Sequence, residues 1–216
     1  GLSPFLINLC ACLVVIIINK HLVSYGGDVA VGAYGIANRM MFFFVMVVIG
    51  INQGMQPIAG FNFGAKHYTR LNQVLKYAIT IATGIWIVGF IVCVLLATPV
   101  ASAFTNDEEL LKEAAHALRV MNLVVPIIGF QMITIGFFQS IGKAGISIFL
   151  SLTRQLLFLV PLLLILPNFF GLEGIWYSVP IADGTSAITA AIVLIYHMRK
   201  FKMRGKLENS NLQTEI

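Results

Sequence analysis

Arg154 and Asp183 are the two residues of this chain whose chemistry fits their surroundings least. Each sits about ten residues into its own long apolar run, and at about 1.5 Å per helical residue both come near the middle of a bilayer, from opposite surfaces. An isolated Arg or Asp at that depth costs about 2.5–3.5 kcal/mol on insertion scales. Ser147 and Ser151 share a helical face with Arg154, and Gln155 borders it, but no acid in that run neutralises the guanidinium. Ser186 and Ala190 follow Asp183 on one side of the next run. The two charges predict a contact between these neighbouring helices, direct or through water, with either a structural or a functional role.

Amides form the second polar feature. At about 100° per residue, Asn38, Asn52, Gln53 and Gln56 fall on one helical face, with Gly35 and Gly60 in the same sector. Such a stripe fits a helix that lines a cavity, or one that meets a neighbour closely through interhelical hydrogen bonds. Pro57 follows it and would free backbone carbonyls, which is tolerable where other groups satisfy them. Arg39 lies near the start of the same run, where a long side chain snorkels to the surface. Further on, Asn122 precedes Pro126, and Gln131 and Gln139 follow. Gln131 is the deepest of these amides and either touches a substrate or bonds a neighbouring helix. Gly129 and Gly136 lie on nearly one face, as small residues do at close helix contacts.

Catalytic and metal chemistry find little footing. His21, His67, His116 and His197 fall at loop or flanking positions and read as surface residues, none with a second ligand at metal spacing. Cys10, Cys12 and Cys93 lie inside apolar runs, where thiols pack as small hydrophobes. No nucleophile motif, phosphate-binding glycine loop or cofactor fingerprint occurs. Gly50-x-x-x-Gly54 and Gly60-x-x-x-Gly64 match a packing pattern that is weakly specific in a glycine-rich chain. The expectation is therefore a protein that is not an enzyme, with no catalytic residues, cofactor or bound metal.

The elements that must position these groups follow from composition. The 216 residues are 58% hydrophobic and only 11% charged, and mean hydropathy is +0.90. Soluble domains run about 45–50% apolar and about 25% charged, and an apolar run of roughly 18 residues crosses a bilayer as a helix. The chain reads as an all-α integral membrane protein, a bundle of six transmembrane helices at about 4–23, 31–61, 74–103, 108–139, 146–166 and 174–198. The connections are Ser24–Asp28, Gly64–Arg70, Thr105–Glu109, Gly142–Gly145 and Asn168–Gly171. Thr105–Glu109 reads as a helix start, a capping residue followed by acids in the first turn. A polar cytoplasmic tail, expected to be irregular, occupies 207–216.

Charge placement gives the orientation. Lys66, Arg70 and Lys76, then Lys143, then Arg199, Lys200, Lys202, Arg204 and Lys206 fall on one side of a six-span fold. Asp28, then Asp107, Glu108 and Glu109, then Glu173 fall on the other, with Lys20 and Lys112 as exceptions. The positive-inside rule puts the basic side, and both ends, in the cytoplasm. The net charge of +5 is explained by this anchoring cluster, which argues against nucleic acid as a partner.

The segments Ala33–Arg39, Gly50–Pro57 and Asn62–Lys66 resemble the MATE family of multidrug exporters, in its MepA-like bacterial branch. Pro126–Gln131, Phe138–Lys143, Ser151–Gln155 and Gly174–Pro180 are similar to the same family. The resemblance covers nearly the whole chain and corresponds to the C-terminal lobe of a twelve-helix transporter. It implies efflux of amphipathic, mostly cationic small molecules across a bacterial inner membrane, by antiport with H⁺ or Na⁺ as coupling ion. It also implies a partner N-terminal lobe and a cavity between lobes that alternates its access. Some branches carry acidic ion-binding residues in the seventh and tenth spans; this chain has only Asn8 and Asn19 in its first span and Gln131 in its fourth, so the coupling acid is expected in the other lobe. Asn38, Asn52, Gln53, Gln56, Gln131, Gln139, Arg154 and Asp183 are the candidate substrate or ion pathway. A flippase for lipid-linked oligosaccharide or a related amphipathic lipid is the alternative cargo, disfavoured by how few basic residues lie deep. A non-transporting membrane scaffold subunit is the alternative of another class.

Overall fold

This computed structural model describes the backbone of residues 2–214 and the side chains of residue 5 and residues 8–201. The described elements are helical: α1 Leu2–Gly64, α2 Tyr68–Phe90, α3 Ala97–Ser102, α4 Glu108–Met121, α5 Val125–Ser140, α6 Ala144–Leu152, α7 Val160–Phe170 and α8 Leu172–Thr214. Two wider π-helical segments, Ile91–Leu95 and Thr153–Leu159, join α2 to α3 and α6 to α7.

At about 1.5 Å per residue α1 is far too long for one crossing. It breaks at Gly27, where φ is 60° and ψ −155°. Only glycine takes that backbone without a Cβ clash, so the predicted Ser24–Asp28 loop contracts to one residue between crossings at 2–26 and 28–64. The second sharp glycine is Gly171, with φ 57° and ψ −133°, which ends α7 while its N–H donates to the Pro167 carbonyl. Four helices are long and apolar enough to span a membrane, and α4 with α5 makes a fifth if the bent pair is one span. With α1 counted on both sides of Gly27, the bundle has the six crossings expected of one lobe.

The predicted fourth span, 108–139, is not one straight helix. It breaks at Asn122–Val124, and α4 and α5 meet at 55°. Pro126 sits in the first turn of α5, where its missing N–H is harmless, rather than in a helix interior. Asn122 adds to the break, because its Nδ2 donates to the Leu118 carbonyl at 2.8 Å and competes with the backbone ladder. Prolines also account for the π segments. Pro161 has no N–H and would push its ring at the carbonyl one turn back; the wider turn relieves it, and the Val160 N–H reaches the Gln155 carbonyl five residues behind. Leu96 N–H likewise donates to Ile91 O at 3.2 Å, just before Pro99. At the C-terminal end, α8 extends to Thr214, so residues 207–214 of the segment expected as an irregular tail continue the helix. The side chains of 207–216 lie outside the described residues.

The start of α4 matches its signature. Asp107 Oδ1 accepts from the Leu110 N–H at 2.8 Å, with Glu108 and Glu109 in the first turn. Asp107→Ala is expected to lower stability by about 1 kcal/mol, read as a reduced melting temperature of the chain in detergent.

α5 is the central element. Val125, Ile128, Gly129, Gln131, Ile133, Thr134, Gly136, Phe137 and Phe138 are all buried, and the helix packs against α1, α2, α6 and α8. Around it, α1 contributes Val48, Met55 and Ala59, and α2 contributes Leu75, Ala82 and Trp86. Large apolar residues that point away from α5, such as Phe43, Leu157 and Ile188, are exposed, as lipid-facing residues are.

The connections sort to two ends of the bundle. Gly26, Glu108 and Leu172 line one cavity of about 430 Å³, and the Tyr25 hydroxyl lies 3.2 Å from Asn168 Oδ1. At the other end Phe201 meets Phe63 and lies under the Lys143 ammonium, 4.6 Å from the ring centroid. The acidic and basic connections therefore separate as an even number of crossings requires.

Candidate functional site

Three helical segments bring their polar groups together inside the bundle. Arg154 is the second residue of the π segment Thr153–Leu159, and its Nε donates to Asp183 Oδ1 on α8 at 2.6 Å. The Asp183 side chain is only 3% exposed and that of Arg154 29% exposed. The pair is thus one buried carboxylate held by a guanidinium whose outer edge reaches the bundle surface. One turn on, the Ser186 hydroxyl lies 3.1 Å from Gln131 Oε1 on α5 and 3.0 Å from the Asp183 carbonyl. Gln131, Ser186, Asp183 and Arg154 form one continuous polar chain from the central helix to the bundle edge.

The chain is incompletely closed. Among the described residues Gln131 Nε2 and Asp183 Oδ2 have no hydrogen-bond partner, and neither does the buried Ser147 Oγ on α6. Buried polar atoms are normally paired, and exceptions concentrate where a site does something besides pack. The arrangement offers both a donor and a carboxylate acceptor in a water-poor interior. Gln131, 1% exposed, bonds a neighbouring helix, the second of its two expected roles.

The amide stripe divides. Asn52 is turned toward α5, and its side chain occupies the space where Gly136 lacks a Cβ. Gln56 is half-buried, whereas Asn38 and Gln53 are exposed. The helical wheel places the four on one face but does not show that the edge of that face meets a glycine. On the same helix α5, Gly129 also makes a close contact, against Ala82 and Trp86 of α2. Gln139 is exposed at the end of α5 and joins neither group. Arg39 is exposed as well.

Other polar links escaped sequence reasoning. Trp176 Nε1 donates to Glu113 Oε1 at 2.9 Å, and His116 Nε2 lies 2.8 Å from Glu173 Oε1, so α4 is tied twice to α8. Glu113 and His116 are three apart on one face of an amphipathic helix, a spacing that could have signalled the pairing. His197, read as a surface residue, is half-buried with its ring 5.2 Å from that of Phe138. Among the described residues no group of three or more His, Cys, Asp or Glu is placed to hold a metal.

This geometry can be set against known proteins. The family model MatE matches residues 4–165. Multidrug export protein MepA of Staphylococcus aureus (strain MSSA476) is 26% identical over 199 residues, covering 92% of this chain and 43% of that protein. Its counterpart from Staphylococcus haemolyticus (strain JCSC1435) is 24% identical over the same share of each. The chain thus spans less than half the length of the curated relatives it matches. Among solved structures, the MATE multidrug transporter DinF-BH, solved as a complex, is 40% identical with a TM-score of 0.81, covering 93% of this chain and 45% of that one. The Vibrio cholerae MATE transporter VcmN in its bent form is 23% identical with a TM-score of 0.84, over 93% and 46%, a likeness of fold.

Proposed function

The chain belongs to the MatE family of membrane transporters, and from that premise we propose that it forms one lobe of a multidrug efflux antiporter. The lobe moves amphipathic, mostly cationic small molecules out of the cell against inward H⁺ or Na⁺. A second, N-terminal lobe completes the cavity and carries the coupling carboxylate. The protein sits in a bacterial inner membrane with both ends of this chain on the cytoplasmic side.

The observation that carries this reading is the exposed amide edge of α1. Gln53 points away from α5, and Gln56 is half-buried beside it. An amide facing hydrocarbon is costly, so such a face belongs against water or another polar surface. A water-filled cavity between lobes supplies one. In this reading Asn38, Gln53 and Gln56 line the pathway, with Gln139 near its mouth. Asn52 and Gln131 stiffen the wall from behind. Arg154 and the buried Asp183 tie the Thr153–Leu159 segment to α8, and Ser186 ties α8 to Gln131.

Aqueous thiol labelling tests it, in the transporter that carries this chain with Cys10, Cys12 and Cys93 replaced by Ser. Gln53→Cys and Gln56→Cys are expected to react with a membrane-impermeant reagent in at least one access state. Asn52→Cys should react at least about tenfold more slowly, because its side chain is wedged against Gly136. Inertness at both 53 and 56 in every state, beside ready labelling at Asn106→Cys, would assign the stripe to packing.

A further inference from the structure

We propose that the C-terminal part of the membrane-embedded α8 is a binding site for an anionic phospholipid. Ile192, Ile195, Tyr196, Arg199 and Lys200 line one cavity of about 600 Å³. Their spacing places all five on one helical face. Ile192 and Tyr196 are each 64% exposed, so no other part of the described chain covers that face.

Exposed apolar residues on a membrane helix are ordinary. What distinguishes this face is the order of its chemistry along the axis. Ile192 and Ile195 come first, then Tyr196, then Arg199 and Lys200. At about 1.5 Å per residue the eight steps from Ile192 to Lys200 rise about 12 Å. That order matches a phospholipid laid along the helix: acyl chain on the isoleucines, ester region at the tyrosine, phosphate at the two cations. Tyr is the residue type enriched at that depth, with an apolar body and a polar tip. Basic residues just beyond a span attract anionic headgroups. Lys202, Arg204 and Lys206 follow in sequence and add to the positive field. A zwitterionic headgroup would bring its own cation against Arg199 and Lys200. A net-negative headgroup such as phosphatidylglycerol brings none, so the site selects by headgroup charge.

This inference does not depend on the transport reading. Its test is lipid binding to the transporter that carries this chain, purified and delipidated, followed by native mass spectrometry. The probes are dioleoylphosphatidylglycerol and dioleoylphosphatidylcholine, identical in their acyl chains. The phosphatidylglycerol adduct is expected to be favoured, and the double variant Arg199→Gln/Lys200→Gln to lose about 30-fold of that preference. The charge-preserving exchange Arg199→Lys/Lys200→Arg should retain it, which separates lost charge from lost folding. Lys76→Gln, at an exposed site on α2, should also retain it. Inorganic phosphate should fail to displace the lipid, because it cannot use the isoleucine wall. An unchanged preference in the neutralised variant would overturn the proposal. So would displacement by phosphate alone, or a cross-link from Ile195→Cys to another protein segment in the assembled transporter, since protein would then cover the face.

Discussion

Arg154→Gln and Asp183→Asn, each alone, are expected to lower stability by about 3 kcal/mol, and the two together by clearly less than the sum. Removing one member of a buried ion pair strands the other, a loss in the range of about 3–5 kcal/mol, whereas removing both leaves two neutral amides that can bond each other. The lower end of that range applies because the Arg154 side chain is 29% exposed and can redirect its guanidinium toward the bundle surface. The same difference ranks the single variants. Arg154→Gln strands a carboxylate that is only 3% exposed, so it should be the more damaging. Melting temperature in detergent, level of folded protein in the membrane and efflux rate are the three readouts. Strictly additive losses would reject coupling between the residues. If Asp183→Asn kept the fold and the melting temperature but abolished ion-driven efflux, Asp183 would be a proton carrier rather than a tie between helices.

The Arg154–Asp183 contact was legible because lipid leaves a deep charge few partners, and the chain offered one acid at matching depth. The spans were legible for a related reason: bilayer thickness fixes a length, and composition reveals which stretches meet it. Gly27 and Gly171 could be placed in turns from residue type alone. The interior detail was not legible. Pro126 in a long apolar run reads equally well as a kinked interior or as the first turn of a second helix, and only the Asn122–Val124 break decides. The π segments leave no hydrophobic signature, since a single wide turn shifts the periodicity too little to register. The amide stripe was correct as an angle and incomplete as a contact. A helical wheel says where Asn52 points, but not that Gly136 opens a space for it on the facing helix. His197 was misread because a residue that flanks a span in sequence can still be enclosed by aromatic rings from neighbouring elements.

Gly136→Ala is expected to destabilise the lobe by about 2–3 kcal/mol, near the upper part of the usual overpacking range, and Asn52→Ala is expected to restore most of the loss. A Cβ at Gly136 would overlap the Asn52 side chain, so α1 and α5 must separate or Asn52 must leave its position. The obstacle is a side chain, so shortening that side chain removes it. Asn52→Ala alone should be mild, within about 1 kcal/mol, because Asn52 Oδ1 has no hydrogen-bond partner among the described residues. Gly129→Ala provides the contrast. A Cβ there would come within 2.9 Å of the Ala82 backbone as well as 2.6 Å of Trp86 Cδ1, and no side-chain substitution removes a backbone atom. Gly129→Ala should therefore be at least as damaging as Gly136→Ala and should resist rescue by Asn52→Ala. Melting temperatures of the single variants and of the Gly136→Ala/Asn52→Ala and Gly129→Ala/Asn52→Ala pairs complete the comparison. A neutral Gly136→Ala, or a Gly136→Ala defect that Asn52→Ala leaves untouched, would show that α1 and α5 do not meet through this amide and this glycine. A specific rescue would instead fix α1 against the central helix at Asn52, leaving Gln53 exposed and Gln56 half-buried at the flank of the contact.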